Sequence, residues 1–241
     1  MIRIYYNLSF RWIMKQKVSP GNSCLSALSS GKKGSINEPI NNSKGCGGVM
    51  RVAPVGLFYP KESSFSLAAD FAALTHGHPS GYLSAGALAY MIALIIKGQD
   101  IDTAVENTLV ELEGHENHEE CSRTLIQALE LSKSDLSDVD AIFQLGEGWV
   151  GEEALAISVY CALKYENDFK KALITSVNHN GDSDSTGAIT GNILGAYLGL
   201  SKIPTDWFER VELKEILIQM ADDLLIGYQG GREWWNRYPG Y

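Results

Sequence analysis

The sequence predicts an all-α protein, and three observations support this. The chain has 241 residues, of which 45% are apolar, enough for one sizeable hydrophobic core. Apolar residues recur at helical spacing along nearly the whole chain. Strand signals are nearly absent: residues 48–58 are the one ambiguous run, and Pro54 within it argues against a central strand. We therefore expect a single domain over residues 1–241, without tandem repeats.

The predicted helices follow one another with short connections. They cover residues 65–74, 82–97, 102–112, 119–131, a short segment capped by Ser134-Asp135, 149–165, 169–178, 187–200 and 207–225. Glycines 187, 191, 195 and 199 recur at i, i+4 spacing, which predicts close packing of their helix against its neighbours. Residues 29–44, rich in Gly, Ser, Lys and Asn, predict a mobile surface loop that leads into a functional turn.

Composition excludes several classes of function. The formal net charge is −9 and no Lys/Arg cluster occurs, which argues against binding of nucleic acid through a basic surface. The cysteines Cys24, Cys46, Cys121 and Cys161 form no C-x-x-C pair, which favours reduced thiols. No apolar run reaches the ~20 residues of a membrane span. The sequence therefore predicts a cytoplasmic protein with no membrane partner.

An acidic motif precedes the helix with the spaced glycines. It reads His179-Asn180-Gly181-Asp182-Ser183-Asp184-Ser185-Thr186. In an irregular loop the carboxylates of Asp182 and Asp184 can converge on one hard cation, and the hydroxyls that follow supply neutral oxygens. Asp and Ser are also favoured where helices begin, so plain capping is the alternative. Two acids flanking a serine favour a metal site of the Mg²⁺ type.

A glycine-rich turn is the second chemical motif. It reads Asn41-Asn42-Ser43-Lys44-Gly45-Cys46-Gly47-Gly48-Val49-Met50-Arg51. Its glycines leave backbone amides unobstructed, and such a turn can hold a phosphate, with Lys44 and Arg51 as nearby charges. The alternative is an ordinary flexible turn, in which both charges are structural or solvated. Cys46 is interpreted as a small packed thiol, because no local feature lowers its pKa.

Two histidines mark a helix break in Thr75-His76-Gly77-His78-Pro79. Their i, i+2 spacing, without a nearby acid or cysteine, is a weak zinc signal. Capping or a hydrogen bond to a substrate is the favoured interpretation of His76 and His78.

A second glycine-rich segment reads Gly146-Glu147-Gly148-Trp149-Val150-Gly151-Glu152-Glu153 and leads into a buried helix. Trp149 offers an aromatic surface on which a base or sugar can stack. The alternative is a helix start whose acids favour the dipole, with Trp149 in the core. Glu152 and Glu153 are interpreted as solvated charges or helix-end charges without a further role.

Together these segments resemble the ADP-ribosylglycohydrolase family. The resemblance rests on the motifs from Ser43 to Pro54, from Thr75 to His78, from Gly146 to Val150 and from Gly181 to Gly187. They occur in the family's order and span most of the chain. Each motif is weak alone, and their combination is specific. The segment from Arg232 to Pro239 also resembles the family's closing segment.

The resemblance implies a Mg²⁺-dependent hydrolase that cleaves the glycosidic bond between ADP-ribose and a modified protein side chain or small acceptor. It implies two Mg²⁺ ions in the intact family site, with Asp182, Asp184 and Ser185 as metal ligands and Asp184 as the catalytic residue. The implied substrate-binding residues are Ser43, Lys44, Gly45, Cys46, Gly47, His76 and Trp149. Mg²⁺ can polarise the anomeric position and activate water, which assists departure through an oxocarbenium-like transition state.

The chain departs from the family's pattern at its beginning. A Gly-Asp-x-x-Gly segment and a Thr-Asp-Asp-Thr motif, which carry the other metal ligands of the family, are not found in it. The residues around Trp12 and at 20–23 resemble family sequence downstream of that motif. We therefore expect an N-terminally truncated, compact multi-helix bundle, whose missing segment comes from an upstream start or from another chain.

Two hypotheses of function follow. The first is an ADP-ribosyl hydrolase, acting on an ADP-ribosylated protein or a small ADP-ribose conjugate. The second is a catalytically incomplete remnant that binds an ADP-ribose-like ligand or serves as a structural domain. A Mg²⁺ phosphohydrolase is weaker, because it leaves the glycine turn and the aromatic residue unexplained.

Overall fold

The structure is a computed structural model that describes residues 21–239, so the segment around Trp12 lies outside the described residues. The chain divides into two units. The middle unit comprises residues 33–204, and the described part of the terminal unit comprises residues 21–32 and 205–239. All predicted site residues fall in the middle unit.

The all-α prediction is confirmed, since residues 21–239 contain helices and no β-strand. Within these residues, Gly45 and Val150 form one isolated antiparallel bridge outside the helices. The α-helices are α1 Asn22–Ser29, α2 Ala53–Phe58, α3 Lys61–Ala73, α4 Pro79–Ile95, α5 Ile101–Glu113, α6 Glu119–Ser132, α7 Asp138–Leu145, α8 Gly151–Lys164, α9 Phe169–Val177, α10 Ser183–Leu198, α11 Thr205–Arg210, α12 Lys214–Ile226 and α13 Arg232–Arg237. Two 3-10 helices cover Cys46–Arg51 and Leu200–Lys202.

Helix α4 forms the core of the middle unit. Pro79 lies in its first turn, where a missing N–H costs nothing, and His78 caps it by accepting the amide of Ser80 at 3.1 Å. Nearly every side chain of α4 is buried, because α2, α3, α5 and α8 pack around it. A helix apolar on all sides is stable in water only in such surroundings.

Helix α8 is the second buried helix, and it carries one end of the site. It packs against α6, α9 and α10. The hydroxyl of Tyr160 on α8 donates to Asp138 Oδ1 at 2.8 Å, and the hydroxyl of Tyr165 donates to Asp138 Oδ2 at 2.6 Å. These bonds join α8 to the beginning of α7.

The terminal unit contains one buried carboxylate, Asp223 on α12. Its oxygens accept from Arg237 Nη1 at 2.8 and 2.9 Å and from the Tyr238 hydroxyl at 2.7 Å. The ion pair joins α12 to α13 within the closing segment of the chain. No helix among the described residues is long and apolar enough to cross a membrane.

The ambiguous run 48–58 is helical, in agreement with the argument from Pro54: it folds into the end of a 3-10 helix and the short helix α2, separated at Val52. The sequence prediction was wrong about two other points. Residues 207–225, predicted as one helix, form α11 and α12, because the chain turns at residues 211–213 with Leu213 at a φ of 60°. The short helix α7 is capped by Ser137, whose hydroxyl accepts from Asp140 N, and not by Ser134-Asp135.

The predicted close packing of the spaced glycines holds at one position only. A Cβ at Gly187 would lie 2.6 Å from Val177 Cγ1, so α9 and α10 approach closely there. At Gly191 the nearest described atom is 3.9 Å away, and Gly195 has open space around it. Gly199 follows the end of α10 with a φ of 74°, a conformation that glycine adopts without strain.

Candidate active site

The acidic motif forms the beginning of α10. Asp182 is the N-cap residue, and its Oδ1 accepts the amide of Ser185 at 3.4 Å. Asp182 and Ser185 are buried, whereas Asp184 is exposed. Asp182 therefore caps the helix, whereas the ligand interpretation of Asp182 and Asp184 stays a prediction.

The carboxyls of Asp182 and Asp184 interact directly. The hydrogen bond with Asp182, helped by burial, raises the pKa of Asp184 above its usual value. Burial acts to raise the pKa of Asp182 as well, but hydrogen bonds from Cys46, Asp184 and Ser185 outweigh it and hold that pKa below the usual value. Two carboxyls this close repel each other when both are ionised, so a cation beside them would be favourable.

The glycine-rich turn meets the acidic motif through Cys46. Cys46 Sγ donates to Asp182 Oδ2 at 2.7 Å, although the two residues are 136 positions apart in the chain. Sγ also lies 3.4 Å from Ser185 Oγ, whose hydroxyl reaches Met50 Sδ at 3.3 Å. Burial and the bond to Asp182 raise the pKa of Cys46 to about 12, which agrees with the interpretation as a packed thiol.

Two amides of the turn are used internally. The Gly45 amide donates to Ser43 Oγ at 3.2 Å, and the Cys46 amide donates to the Trp149 carbonyl at 3.2 Å. The Lys44 carbonyl accepts from Gly151 N at 2.7 Å. The turn is thus held in one conformation by the segment that precedes α8.

His76 lies beneath the turn and is 2% exposed. Its Nδ1 is 2.8 Å from the Thr75 hydroxyl, and Arg51 Nη2 donates to that hydroxyl at 2.7 Å. A Cβ at Gly45 would lie 3.3 Å from His76 Nε2, so the ring edge touches the turn. Burial, with the charge of Arg51 as a second cause, lowers the pKa of His76 to about 4.

We expect the stability of the protein to decrease as the pH is lowered from 6.5 to 4, because of His76. In the unfolded chain this imidazole is protonated below about pH 6.5, and in the folded chain only below about pH 4. Unfolding therefore takes up a proton between these pH values, so the stability decreases as the pH falls through this range. The expected loss is ~3 kcal/mol, complete near pH 4, with no contribution above pH 6.5. Urea unfolding at several pH values measures it. An unchanged slope in His76→Gln would contradict this assignment.

Lys44 forms ion pairs with two carboxylates. Its Nζ lies 2.5 Å from Glu120 Oε1 and 3.1 Å from Glu152 Oε1, and the Ser80 hydroxyl donates to the other oxygen of Glu120. Glu152 is 4% exposed and its Oε2 has no hydrogen-bond partner among the described residues. Burial raises the pKa of Glu152, and Lys44 opposes that effect. The ammonium group is therefore engaged in an ion-pair cluster.

We expect Lys44→Met to destabilise the protein by about 1–3 kcal/mol, because Glu152 then keeps a buried charge without a partner. The double variant Lys44→Met/Glu152→Gln should recover much of that loss. As a control, Lys133→Met breaks the exposed pair with Asp102 and should cost at most about 1 kcal/mol. Urea unfolding of the wild type, both single variants Lys44→Met and Glu152→Gln, the double variant and the control measures these losses. Equal losses for Lys44→Met and Lys133→Met would refute the buried-charge argument.

The segment 146–149, which we call the bridging loop, connects the glycine turn with the acidic motif. The Glu147 carbonyl accepts from Asp182 N at 2.8 Å. Trp149 is 58% exposed, and its indole Nε1 donates to Glu147 Oε2 at 3.1 Å. Gly146 and Gly148 have φ values of 116° and 77°, at which the backbone of a residue with a side chain would be strained. Trp149 thus lies beside both motifs with its ring accessible.

The family of the chain follows from its similarity to known proteins. Residues 3–233 match the family profile described as ADP-ribosylglycohydrolase. The chain belongs to the ADP-ribosylglycohydrolase family. The resemblance inferred from the four motifs is thereby confirmed.

Relatives within the ADP-ribosylglycohydrolase family include ADP-ribosylhydrolase ARH3 of Homo sapiens, 27% identical over 200 residues, covering 70% of this chain and 54% of that protein. ADP-ribosyl-[dinitrogen reductase] glycohydrolase of Rhodospirillum rubrum is 25% identical over 230 residues, covering 91% of this chain and 69% of that protein. A solved structure titled ADP-ribosylglycohydrolase-related protein complex matches with a TM-score of 0.64 and 25% identity, covering 91% of this chain and 71% of that one. The matched segment spans about half the length of the ARH3 relatives from human, cattle and mouse.

The donor set of this family member fits part of a Mg²⁺ site. Asp182, Asp184 and Ser185 offer two carboxylates and a hydroxyl on one turn, and Mg²⁺ often uses one or two carboxylates and keeps several waters. Within residues 21–239, no group of three or more His, Cys, Asp or Glu side chains is arranged to hold a metal ion. The described residues thus suit one hydrated ion, and a second ion needs ligands beyond them.

The structure brings the predicted site residues together with two exceptions. His76 supports the turn from below, and the contacts above join Ser43, Gly45, Cys46, Trp149, Asp182, Asp184 and Ser185. Lys44 is directed to its ion pairs, and Gly47 has no contact that defines a role. The roles of all these residues toward a ligand stay predictions.

Sequence reasoning missed the part played by Glu152 and Glu153, which are not helix-end charges alone. Glu152 is buried against Lys44, as described above. Glu153 Oε2 accepts from Glu147 N and Gly148 N, both at 3.1 Å. A signal existed for Glu152, since it lies on the apolar stripe that continues at Ala156 and Val159.

A separate cleft of about 400 Å³ lies between α7 and α9. Gly146, Glu147 and His179 line it, but Asp182 and Asp184 do not. Because Asp182, Asp184 and the glycine turn do not line this cleft, we place the candidate site at the acidic motif and not in the cleft.

Proposed function

We propose that this chain hydrolyses the glycosidic bond that links ADP-ribose to a modified protein side chain or a small acceptor, in a Mg²⁺-dependent reaction in the cytoplasm. The relatives are named as ADP-ribosylhydrolases and glycohydrolases, which supports the bond class. Metal ligands beyond the described residues, on this polypeptide or on another chain, would complete the site.

One observation carries the proposal. The acidic motif, the glycine turn and the bridging loop come from separate parts of the chain and meet through the contacts of Cys46 with Asp182 and with Trp149, and of Glu147 with Asp182. Such convergence of hydroxyls, carboxylates and a glycine turn beside an exposed aromatic ring suits a ligand that combines phosphates, ribose and a base.

Asp182, Asp184 and Ser185 would hold the metal. When bound, Mg²⁺ would supply Lewis-acid stabilisation of the sugar hydroxyls and a water of lowered pKa. Asp182 keeps its negative charge because Cys46 Sγ and Ser185 N donate to it. Asp184 is exposed, so its carboxylate would meet the cation from the solvent side.

The remaining residues would bind and orient the substrate. The rigid turn from Ser43 to Gly47 would face the phosphates or a ribose, and the Trp149 ring would stack on a planar or sugar surface. His76 is neutral near pH 7, because its pKa is about 4, so it supports the turn and offers a hydrogen bond without charge.

The test is release of ADP-ribose from a panel of ADP-ribosylated proteins and small conjugates, with Mg²⁺ and with a chelator. Release that requires Mg²⁺ supports the proposal. A folded chain that releases nothing, yet binds ADP-ribose equally with and without Mg²⁺ in calorimetry, would contradict it and favour the non-catalytic binding domain.

A further inference from the structure

The carboxylate of Glu153 holds the bridging loop by two consecutive amides. Its Oε2 accepts from Glu147 N and from Gly148 N, each at 3.1 Å. A Cβ at Gly146 would lie 2.3 Å from Glu153 Cδ, which shows how closely the loop wraps the carboxyl group. The left-handed Gly146 and Gly148 make this wrapping possible.

This contact differs from ordinary helix capping. Glu153 is the third residue of α8, and in a capping box such a glutamate accepts the amide of the N-cap residue, here Val150. The carboxylate instead reaches past Val150 to the amides of residues 147 and 148. A contact that serves only the helix end would not extend so far back along the chain.

The loop that Glu153 holds contacts both walls of the candidate site. The Glu147 carbonyl accepts from Asp182 N at 2.8 Å, and the Trp149 carbonyl accepts from Cys46 N at 3.2 Å. A Cβ at Gly181 would lie 1.8 Å from the Glu147 carbonyl oxygen, so the two backbones touch. A shift of residues 147–149 therefore moves Asp182, Trp149 and the glycine turn together.

We propose that Glu153 is a positioning residue for hydrolysis, which acts through the bridging loop on Asp182 and Trp149 without touching the substrate. This inference rests on the proposed function for its kinetic consequence only. The neighbouring Glu152 has a different task, because its carboxylate binds Lys44 under the glycine turn. Adjacent side chains at one helix end thus fix different walls of the site.

The experiment compares Glu153→Ala, Glu153→Gln and the control Glu119→Ala, which removes an exposed acid from the first turn of α6. Hydrogen exchange is followed by mass spectrometry in peptides covering residues 145–150, 180–186 and, as a reference, 79–95. We expect Glu153→Ala to speed exchange in the first two peptides and not in the third. Glu153→Gln, which keeps an acceptor oxygen, should restore most of the protection.

In Mg²⁺-dependent release of ADP-ribose, Glu153→Ala should lower kcat by about 10- to 100-fold, with a smaller change in KM. Glu153→Gln should lie between it and the wild type, and Glu119→Ala should match the wild type. If Glu153→Ala lowers Tm but leaves kcat and the exchange of residues 180–186 unchanged, Glu153 only stabilises α8 and the proposal is wrong. If the wild type itself releases no ADP-ribose, the exchange result alone decides about Glu153, and the proposed function fails separately.

Discussion

Asp184→Asn should lower the rate of Mg²⁺-dependent release of ADP-ribose roughly 10³-fold or more. Substitution of residues that only support a metal ligand already costs about 10- to 100-fold in activity, and Asp184 is itself a proposed ligand. The substitution keeps the shape of the side chain and removes one negative charge from an exposed position beside Asp182. Asp135→Asn, an exposed aspartate outside the site, is the matched control and should retain full activity.

The same variant should be as stable as the wild type, or more stable, at pH 7 without metal. The pKa of Asp184 is raised in the folded state, so folding disfavours the ionised carboxylate. At a pH above the normal carboxyl pKa this lowers the stability of the wild type, and the substitution removes that cost. Mg²⁺ should raise the Tm of the wild type and leave that of Asp184→Asn nearly unchanged. An inactive variant that has lost stability would instead indicate a structural defect.

Gly181→Ala is expected to have the second largest effect. A methyl group there would lie 1.8 Å from the Glu147 carbonyl oxygen, which is backbone and cannot turn aside as a side chain does. The bridging loop and Asp182 must then separate, and the hydrogen bond between them breaks. We expect about 2 kcal/mol or more of destabilisation and roughly 10²-fold lower activity, because displacements of ~1 Å at a site have such effects.

Gly195→Ala provides the control for this variant. Gly195 lies within α10, and apart from its own helix backbone no described atom lies within 4 Å of the position that a Cβ would take there. Alanine favours the helix by up to ~1 kcal/mol over glycine, so stability should stay equal or rise. Thermal unfolding and release of ADP-ribose are measured for both. Equal behaviour of the two alanine variants would rule out the close approach at Gly181.

Most helices could be predicted because their apolar patterns are long. The prediction of 169–178 and the observed Phe169–Val177 differ by one residue, and the start of α6 at Glu119 agrees. The break at residues 211–213 could not be predicted, since no glycine or proline marks it and Leu213 adopts the left-handed conformation that its side chain disfavours.

The candidate site was less accessible from sequence. Local patterns identify Asp182 and Asp184 as a ligand pair, but nothing local pairs Cys46 with Asp182, 136 positions away. Only the resemblance to a family joined those motifs in advance. Lys44 shows the opposite difficulty. A cation in a glycine turn favours a phosphate contact, and the ion pairs of Lys44 with Glu120 and Glu152 depend on helices α6 and α8, which the turn does not specify.

The bridging loop also sets a limit on how the chain can change in length. The carbonyls of Glu147 and Trp149 are two residues apart, and each pairs with a different segment. One inserted or deleted residue between them would shift the register, so that at most one pairing survives. We expect insertions to be tolerated in surface connections and rejected here, where the number of residues, as much as their identity, defines the site.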